Sequence, residues 1–462
     1  MKSNSITSVL LVESHKRTIS WAKALLALNQ VNLHVLVVIP DEREVYLDIG
    51  VPSENIHNIN EVNALSPLDD GKGLDIERGF YYCINAIISS DRLLRRKSYE
   101  ESVLYLNRLI EYFNKVLDEN KIEMVILEPT WAHEILMCEV AKAKAIKSYF
   151  PHTMRIPYKH FLFFNGYRQE EFFKRDKSEF NNSDALAAYN SIVHKGEKPL
   201  YFHKNNNKNN FSLTLLSKPF KGLVKEFRGE KNLYVTPRVH RLIIDKVSKI
   251  TRRQGVSLLV DFDQPKNEDN YVFVSLHVQP ESSIDVLGNM YTNQIEYVRA
   301  IAKTTPSSHK VYVKEHSNAL GDRPLGFYRD MRDIPGVVLV DPNLDSHALM
   351  KKADLVISVS GTTSFEASLM GVPAVTSAKM FFSDLLVKEQ FNPYGDNVRD
   401  LIKEGEVWKK RFGKEELMQC YYHIFKNSFE GDTTDCLTNP SVLEEGNIEK
   451  LSKAFNELVS ND

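Results

Sequence analysis

The chain has 462 residues, 42% of them hydrophobic and 26% charged, more than one hydrophobic core usually serves and unlike a disordered composition. Lysine and arginine number 59 against 61 for aspartate and glutamate, so no global charge favours nucleic acid or an anionic membrane as partner, and any basic site is local. The four cysteines, Cys83, Cys138, Cys420 and Cys436, show no CxxC pair or metal-type spacing, which argues against a zinc site or disulfide framework and for a reducing, cytoplasmic setting.

Met1 to Leu11 lacks the parts of a signal peptide, and no stretch approaches the ~20 apolar residues that span a bilayer, so membrane contact is expected to be peripheral at most, at the inner face. The apolar run Ile6 to Val12 ends in the polar loop Glu13-Ser14-His15-Lys16-Arg17 and leads into a helical pattern from Trp21 to Leu28. A second run, Leu33 to Ile39, stops at Pro40. A helix from about Tyr99 to Glu119 precedes the strand Met124 to Leu127, and Glu128-Pro129-Thr130-Trp131 opens a helix from His133 to Ala145. Such alternation predicts a mainly parallel sheet covered on both faces.

From Gln169 to Gly255 the pattern weakens, and Lys204 to Asn210 reads as an exposed loop. A helical stretch from Pro237 to Gln254 follows, and Asp263 to Asn270 reads as a link. The second half is clearer: Tyr271 to Leu276, Lys310 to Lys314, Val337 to Val340, Leu355 to Val359 and Ala374 to Thr376 are short β-rich runs separated by helix-length segments. The class is therefore α/β, with two Rossmann-like domains expected over residues 1–255 (with an irregular insertion at about 165–235) and 256–430, and a helical tail over 431–462.

In open α/β sheets ligands lie beyond the carboxyl ends of the strands, where strand order reverses. Three second-half loops there are rich in polar residues. Ser360-Gly361-Thr362-Thr363-Ser364-Phe365-Glu366 reads as a turn entering a helix: Gly361 permits a close approach, the first helical N–H groups with the hydroxyls suit a phosphate, and Glu366 suits ribose hydroxyls. The same residues also fit a capping box at Thr363 with Gly371 as the helix stop. In Lys314-Glu315-His316, alternation puts Lys314 and His316 on one face, suited to a phosphate leaving group, and Arg323 adds a bidentate contact. The charged strand end facing solvent is the plainer reading. In Gln279-Pro280-Glu281-Ser282 an amide and a carboxylate flank a proline, with Glu281 a base or clamp, or the cap region of a helix nearer Tyr291.

In the first half Glu13, His15, Glu128 and Trp131 follow apolar strands. An acceptor sugar would stack on Trp131 and lose its proton to Glu13 or Glu128, with Arg155 a further contact. Arg95-Arg96-Lys97 is a solvated face or a contact to a lipid-linked acceptor.

Together, Gln279-Pro280-Glu281-Ser282, Val313-Lys314-Glu315-His316 and Ser360 to Ala367 resemble, in order and spacing, the capsule polysaccharide biosynthesis family, which includes the Kdo transferases of bacterial capsule export. The resemblance covers about Val272 to Val375. It implies a GT-B architecture, two Rossmann-like domains facing a central cleft, with a nucleotide-activated sugar as donor substrate, no separate cofactor and no catalytic metal. By this resemblance Lys314 and His316 bind the donor phosphate, and Ser360, Gly361, Thr362 and Glu366 approach the nucleotide. A CMP-ulosonic acid is one donor it implies, although Ser317 stands where members commonly have proline. The acceptor would be an oligosaccharide or lipid-linked glycan of a surface polysaccharide, with other assembly enzymes as partners. The sheet and its post-glycine Glu also look like the UDP-sugar 2-epimerases and the polyol-phosphate transferases. A non-catalytic carbohydrate-binding or assembly subunit is the alternative from another class.

Overall fold

A computed structural model of the chain describes residues 6–13, 15–64, 77–195 and 232–461. They divide into two compact units, the first drawn from residues 1–174, 211–239 and 428–462 and the second from 175–210 and 240–427. Each unit has its own mainly parallel sheet.

In the first unit the strands are β1 (Thr7–Val12), β2 (Val31–Val37), β3 (Ile56–Asn58), β4 (Met124–Ile126), β5 (Lys147–Thr153) and β6 (His160–Asn165). β1 lies between β2 and β4, parallel to both. Val9, Leu10, Leu11 and Val12 are completely buried, as a strand covered on both faces requires. The helix Tyr99–Glu119 starts where Ser98 accepts the Glu101 N–H, with Glu100 and Glu101 in its first turn, satisfying an orphan donor and opposing the helix dipole.

The second unit holds β7 (Tyr271–Ser275), β8 (Lys310–Lys314), β9 (Val337–Val340), β10 (Leu355–Ser358) and β11 (Ala374–Thr376), all parallel, in the order β11-β10-β7-β8-β9. These are the expected strands to within a residue. From β7 the chain builds outward to β8 and β9, then crosses to the other side for β10 and β11. Strand order therefore reverses between β7 and β10. In the first unit it reverses between β1 and β4.

The domain expectation needs correction at both joins. The last strand, β12 (Phe429–Glu430), pairs antiparallel with β6, and Phe429 packs 5.2 Å from Phe163. The following helix Glu445–Asn461 buries Leu451, Ala454, Phe455 and Leu458. Residues 431–462 are thus part of the first unit rather than a tail. Conversely, the helix Asn182–Lys195 belongs to the second unit, where Tyr189 donates to the Leu369 carbonyl at 2.8 Å and Phe180 packs on Phe425. Contacts distant in sequence assign both pieces. The Lys204 to Asn210 run and much of the expected insertion lie outside the described residues. Two further strands, β5 and β6, were not expected, and Arg155 lies just after β5 with φ of 65°.

Candidate functional site

At the reversal of the second unit, the loops after β7 and β10 meet. His277 is buried, and its Nε2 accepts from the N–H groups of Val359 at 3.2 Å and Ser360 at 3.4 Å. Two donors into one nitrogen make His277 a neutral ring protonated on Nδ1. Gly361 sits against that ring: a Cβ there would lie 3.3 Å from His277 Cε1. The helix Thr362–Leu369 begins one residue later, so its first N–H groups open at the strand ends, where an anion is favoured.

The sequence-derived residues converge on these loops, but several do work other than that expected. Ser364 is completely buried, bonded to Ser358 Oγ at 2.7 Å and donating to the Val375 carbonyl at 3.0 Å, so its hydroxyl faces the sheet. Ser360 donates to the Ser283 carbonyl and ties the two loops together. Thr362 and Thr363 are half-buried at the helix start. Because Gly361 is the cap residue, the capping box centred on Thr363 does not form, while Gly371 does take the left-handed φ of 78° past the helix end.

Arg323 gives no bidentate phosphate contact in this arrangement. It is buried, with Nε on Glu315 Oε2, Nη2 on the His277 carbonyl at 2.6 Å, and the guanidinium 4.3 Å over Phe327. Burial pushes the Glu315 carboxyl upward, and the Arg323 charge and the His316 N–H pull it back. Arg323 and Glu315 thus brace the loops after β7 and β8. Lys314 is buried at the end of β8, and the half-buried His316 accepts the Asn318 N–H on Nδ1 at 3.2 Å, which places its proton on Nε2.

Gln279 donates to Asp285 Oδ1 at 2.9 Å and accepts from Gln294 at 3.2 Å; Gln294 also holds both backbone groups of His277. Glu281 precedes a short helix, Ser282–Asp285, nearer than expected, and its carboxylate accepts from the Ser283 hydroxyl at 2.8 Å. Glu366 is paired with His347, Nε2 to Oε2 2.9 Å. Sequence reading missed His277, Asp285, Gln294 and His347. His277 had a signal, since it directly follows the apolar run Tyr271 to Leu276; His347 had none.

At the reversal of the first unit, Glu13 is completely buried and accepts from the Arg17 N–H at 2.8 Å and from the Thr18 N–H and hydroxyl at 3.2 and 2.5 Å. Both oxygens therefore close the loop after β1, which does not suit the general-base role expected of it. Trp131 is only 7% exposed, stacked on His15 with centroids 5.6 Å apart and with Arg92 4.9 Å from its centre. A buried ring is not the open platform expected for a sugar. His15 has φ of 63°, and burial together with Arg17 and Arg92 lowers its pKa to about 4. Burial and then His15 lower His133 to about 3.

Burial pushes Glu128 above the usual carboxylate range, opposed by Arg17 and Arg92 and reinforced by Asp435. Burial and the Glu13 charge raise Glu42 to about 8. The returning C-terminal segment completes this place: Asp435 lies 3.9 Å from Arg17, and the Cys436 thiol donates to the Lys16 carbonyl at 2.9 Å. Glu42, Arg92, His133 and Asp435 were invisible as site residues because four different segments of the chain deliver them.

Among the described residues no group of three or more His, Cys, Asp or Glu is arranged to hold a metal ion, and no helix is long and apolar enough to cross a membrane.

No family model and no curated protein matches the sequence. Similar solved structures include the UDP-GlcNAc 2-epimerase of Neisseria meningitidis bound to UDP-GlcNAc, 12% identical over 98% of this chain and 100% of that one, with a TM-score of 0.25. Another is KpsC, the β Kdo 2,7 transferase of Thermosulfurimonas dismutans, 12% identical over 79% of this chain and 90% of that one, TM-score 0.35. A third is the UDP-GlcNAc 2-epimerase of Methanocaldococcus jannaschii with UDP-GlcNAc and UDP, 14% identical over 91% and 99%, TM-score 0.26. Among these neighbours is thus a Kdo transferase of the kind the three motifs resemble. At such identities they supply no residue roles, and the α/β class and the two Rossmann-like sheets rest on the chain's own topology.

Proposed function

We propose that the protein is a glycosyltransferase that moves a sugar from a nucleotide-activated donor to a surface-polysaccharide acceptor. The observation that carries this reading is the meeting of the β7 and β10 loops at the strand-order reversal, where Gly361 packs against His277 and the helix Thr362–Leu369 opens. The donor phosphate is assigned to the N–H groups and hydroxyls of Thr362 and Thr363, with Lys314 and His316 beside them, and the ribose to Glu366 in company with His347. Arg323, Glu315, Gln279, Asp285 and Gln294 hold those loops in place without touching the donor.

In the reaction the acceptor hydroxyl forms a bond to the anomeric carbon as the bond to the nucleotide phosphate breaks, and the departing charge falls on preset donors. The acceptor proton needs a base, and the strand-end residues Glu13, His15 and Glu128 are the ones the sequence offers. With Glu13 engaged by three donors, the choice narrows to His15, whose Nδ1 is buried without a partner and whose ring is neutral near pH 7, and Glu128. No metal enters this scheme, so a chelator is expected to leave the rate unchanged.

Melting in the presence of CMP, CDP, UDP, GDP and ADP tests the reading, because a ligand that binds only the folded state stabilises it by ~2.7 kcal/mol at a hundredfold excess over Kd. One nucleotide is expected to raise the Tm, and Glu366→Ala or His316→Ala to abolish that rise while leaving the unliganded Tm near wild type. No shift with any nucleotide would favour a non-catalytic carbohydrate-binding subunit. Release of an epimerised sugar from UDP-GlcNAc without an acceptor would favour the 2-epimerase.

A further inference from the structure

The helix Val239–Leu259 is almost entirely exposed from His240 to Leu259. One side is held down. Gly321, at φ of 91°, passes so close beneath it that a Cβ would lie 2.3 Å from the Lys249 carbonyl oxygen; Lys249 pairs with Asp322 at 2.7 Å, and Val256 is buried. This anchoring determines which side faces out. Ile243, Val247 and Ile250, spaced to share one helix side, are 46%, 54% and 46% exposed; Leu242, Ile244, Leu258 and Leu259 add to the apolar surface, the last two at 81% and 74%. A row of branched apolar side chains this open marks an interaction surface rather than a stray residue.

Its charge identifies the partner. Between Arg238 and Leu259 the chain carries six lysines and arginines (Arg238, Arg241, Lys246, Lys249, Arg252, Arg253) and one acid, Asp245, against a whole-chain net charge of −2. Asp245 pairs with Arg241 at 3.3 Å, Lys249 with Asp322, and Arg252 donates to the Asp322 carbonyl at 3.3 Å, which leaves Arg238, Lys246 and Arg253 as the basic side chains beside the apolar row. A second copy of the helix would bring the same basic flanks together, a like-charge arrangement that opposes pairing. An anionic bilayer surface accepts both features: the apolar row enters the boundary between headgroups and chains, and Arg238, Lys246 and Arg253 reach the phosphates. We propose that this helix docks the protein onto anionic phospholipid membranes, lying in the surface rather than crossing it. Docking here is independent of the glycosyltransferase reading.

Sedimentation of the full chain with vesicles tests this, comparing pure phosphatidylcholine with equal parts phosphatidylcholine and phosphatidylglycerol. The expected result is binding to the mixed vesicles only, weakened about tenfold or more by raising salt from 50 to about 200 mM, in keeping with charge screening. Val247→Glu with Ile250→Glu, and separately Lys246→Glu with Arg253→Glu, should each abolish it with Tm unchanged, since all four side chains are exposed. No binding to mixed vesicles, or binding that survives both double variants, overturns the proposal. So does a dimer by light scattering that Val247→Glu with Ile250→Glu makes monomeric, which would mean that a second copy covers the face. A marked loss of Tm in that apolar variant would also overturn it, because the chain itself would then cover the face.

Discussion

At the strand-order reversal of the second unit, His277, Gln279, Asp285, Gln294, Glu315 and Arg323 are bonded to one another or to backbone. At that of the first unit, His15 Nδ1 and His133 Nε2 are buried without a hydrogen bond, and Glu42 and Glu128 are pushed toward protonation. Both places follow the same rule of topology. A satisfied polar network holds loops in one geometry, whereas buried groups with displaced pKa values are poised to exchange protons. The second unit thus holds these loops in one geometry, and the first holds groups whose charge responds to pH.

The strongest way to break this contrast is to remove the brace. Arg323→Ala leaves Glu315 buried without its cation and should cost about 3–5 kcal/mol in urea unfolding. A loss below about 1 kcal/mol would mean that the loops after β7 and β8 are held by something else. Gly288→Ala is expected to cost less, about 1–3 kcal/mol through overpacking, because a Cβ there would lie 2.4 Å from Val359 Cγ1. The same variant should weaken the nucleotide-dependent rise in Tm, since Val359 adjoins the Ser360–Gly361 turn.

The smallest effects sharpen the comparison through pH. Glu42 is raised from 4.5 to about 8, so the folded state holds more protons across that interval. Its contribution is fully present below about 4.5 and is lost as pH rises through about 8. Glu42→Gln should flatten that fall when urea midpoints are plotted against pH. His15 moves the other way, from 6.5 to about 4. Its contribution is present above 6.5 and is lost as pH falls through about 4, and His15→Gln should remove that acid-side slope. Slopes that do not respond to these two substitutions would assign the pH dependence elsewhere.

Most of the framework was legible in the residues. β8, β9 and β11 coincide with the apolar runs that announced them, and the helix Tyr99–Glu119 has the bounds expected of it, with Ser98 capping its start. Strand periodicity and helix-end chemistry are local, so a single sequence carries them. β5, β6 and the helix Asn182–Lys195 were missed because the stretch around them mixes aromatic and polar residues without a clean period.

The candidate site was legible as a set of loops but not as a set of roles. The sequence determined that polar loops follow apolar strands, that Gly361 precedes a helix and that Glu13, His15, Lys314 and His316 stand at strand ends. It left open which of these side chains are already bonded. Only the tertiary structure decided that Arg323 braces Glu315 and His277, that Ser364 turns toward the sheet, that His347 meets Glu366, and that Asp435 reaches Arg17 from the far end of the chain. The physical reason is that a hydrogen bond or ion pair depends on separations of about 3–4 Å between atoms. Residues tens or hundreds of positions apart reach such separations only when packing brings their strands and helices together.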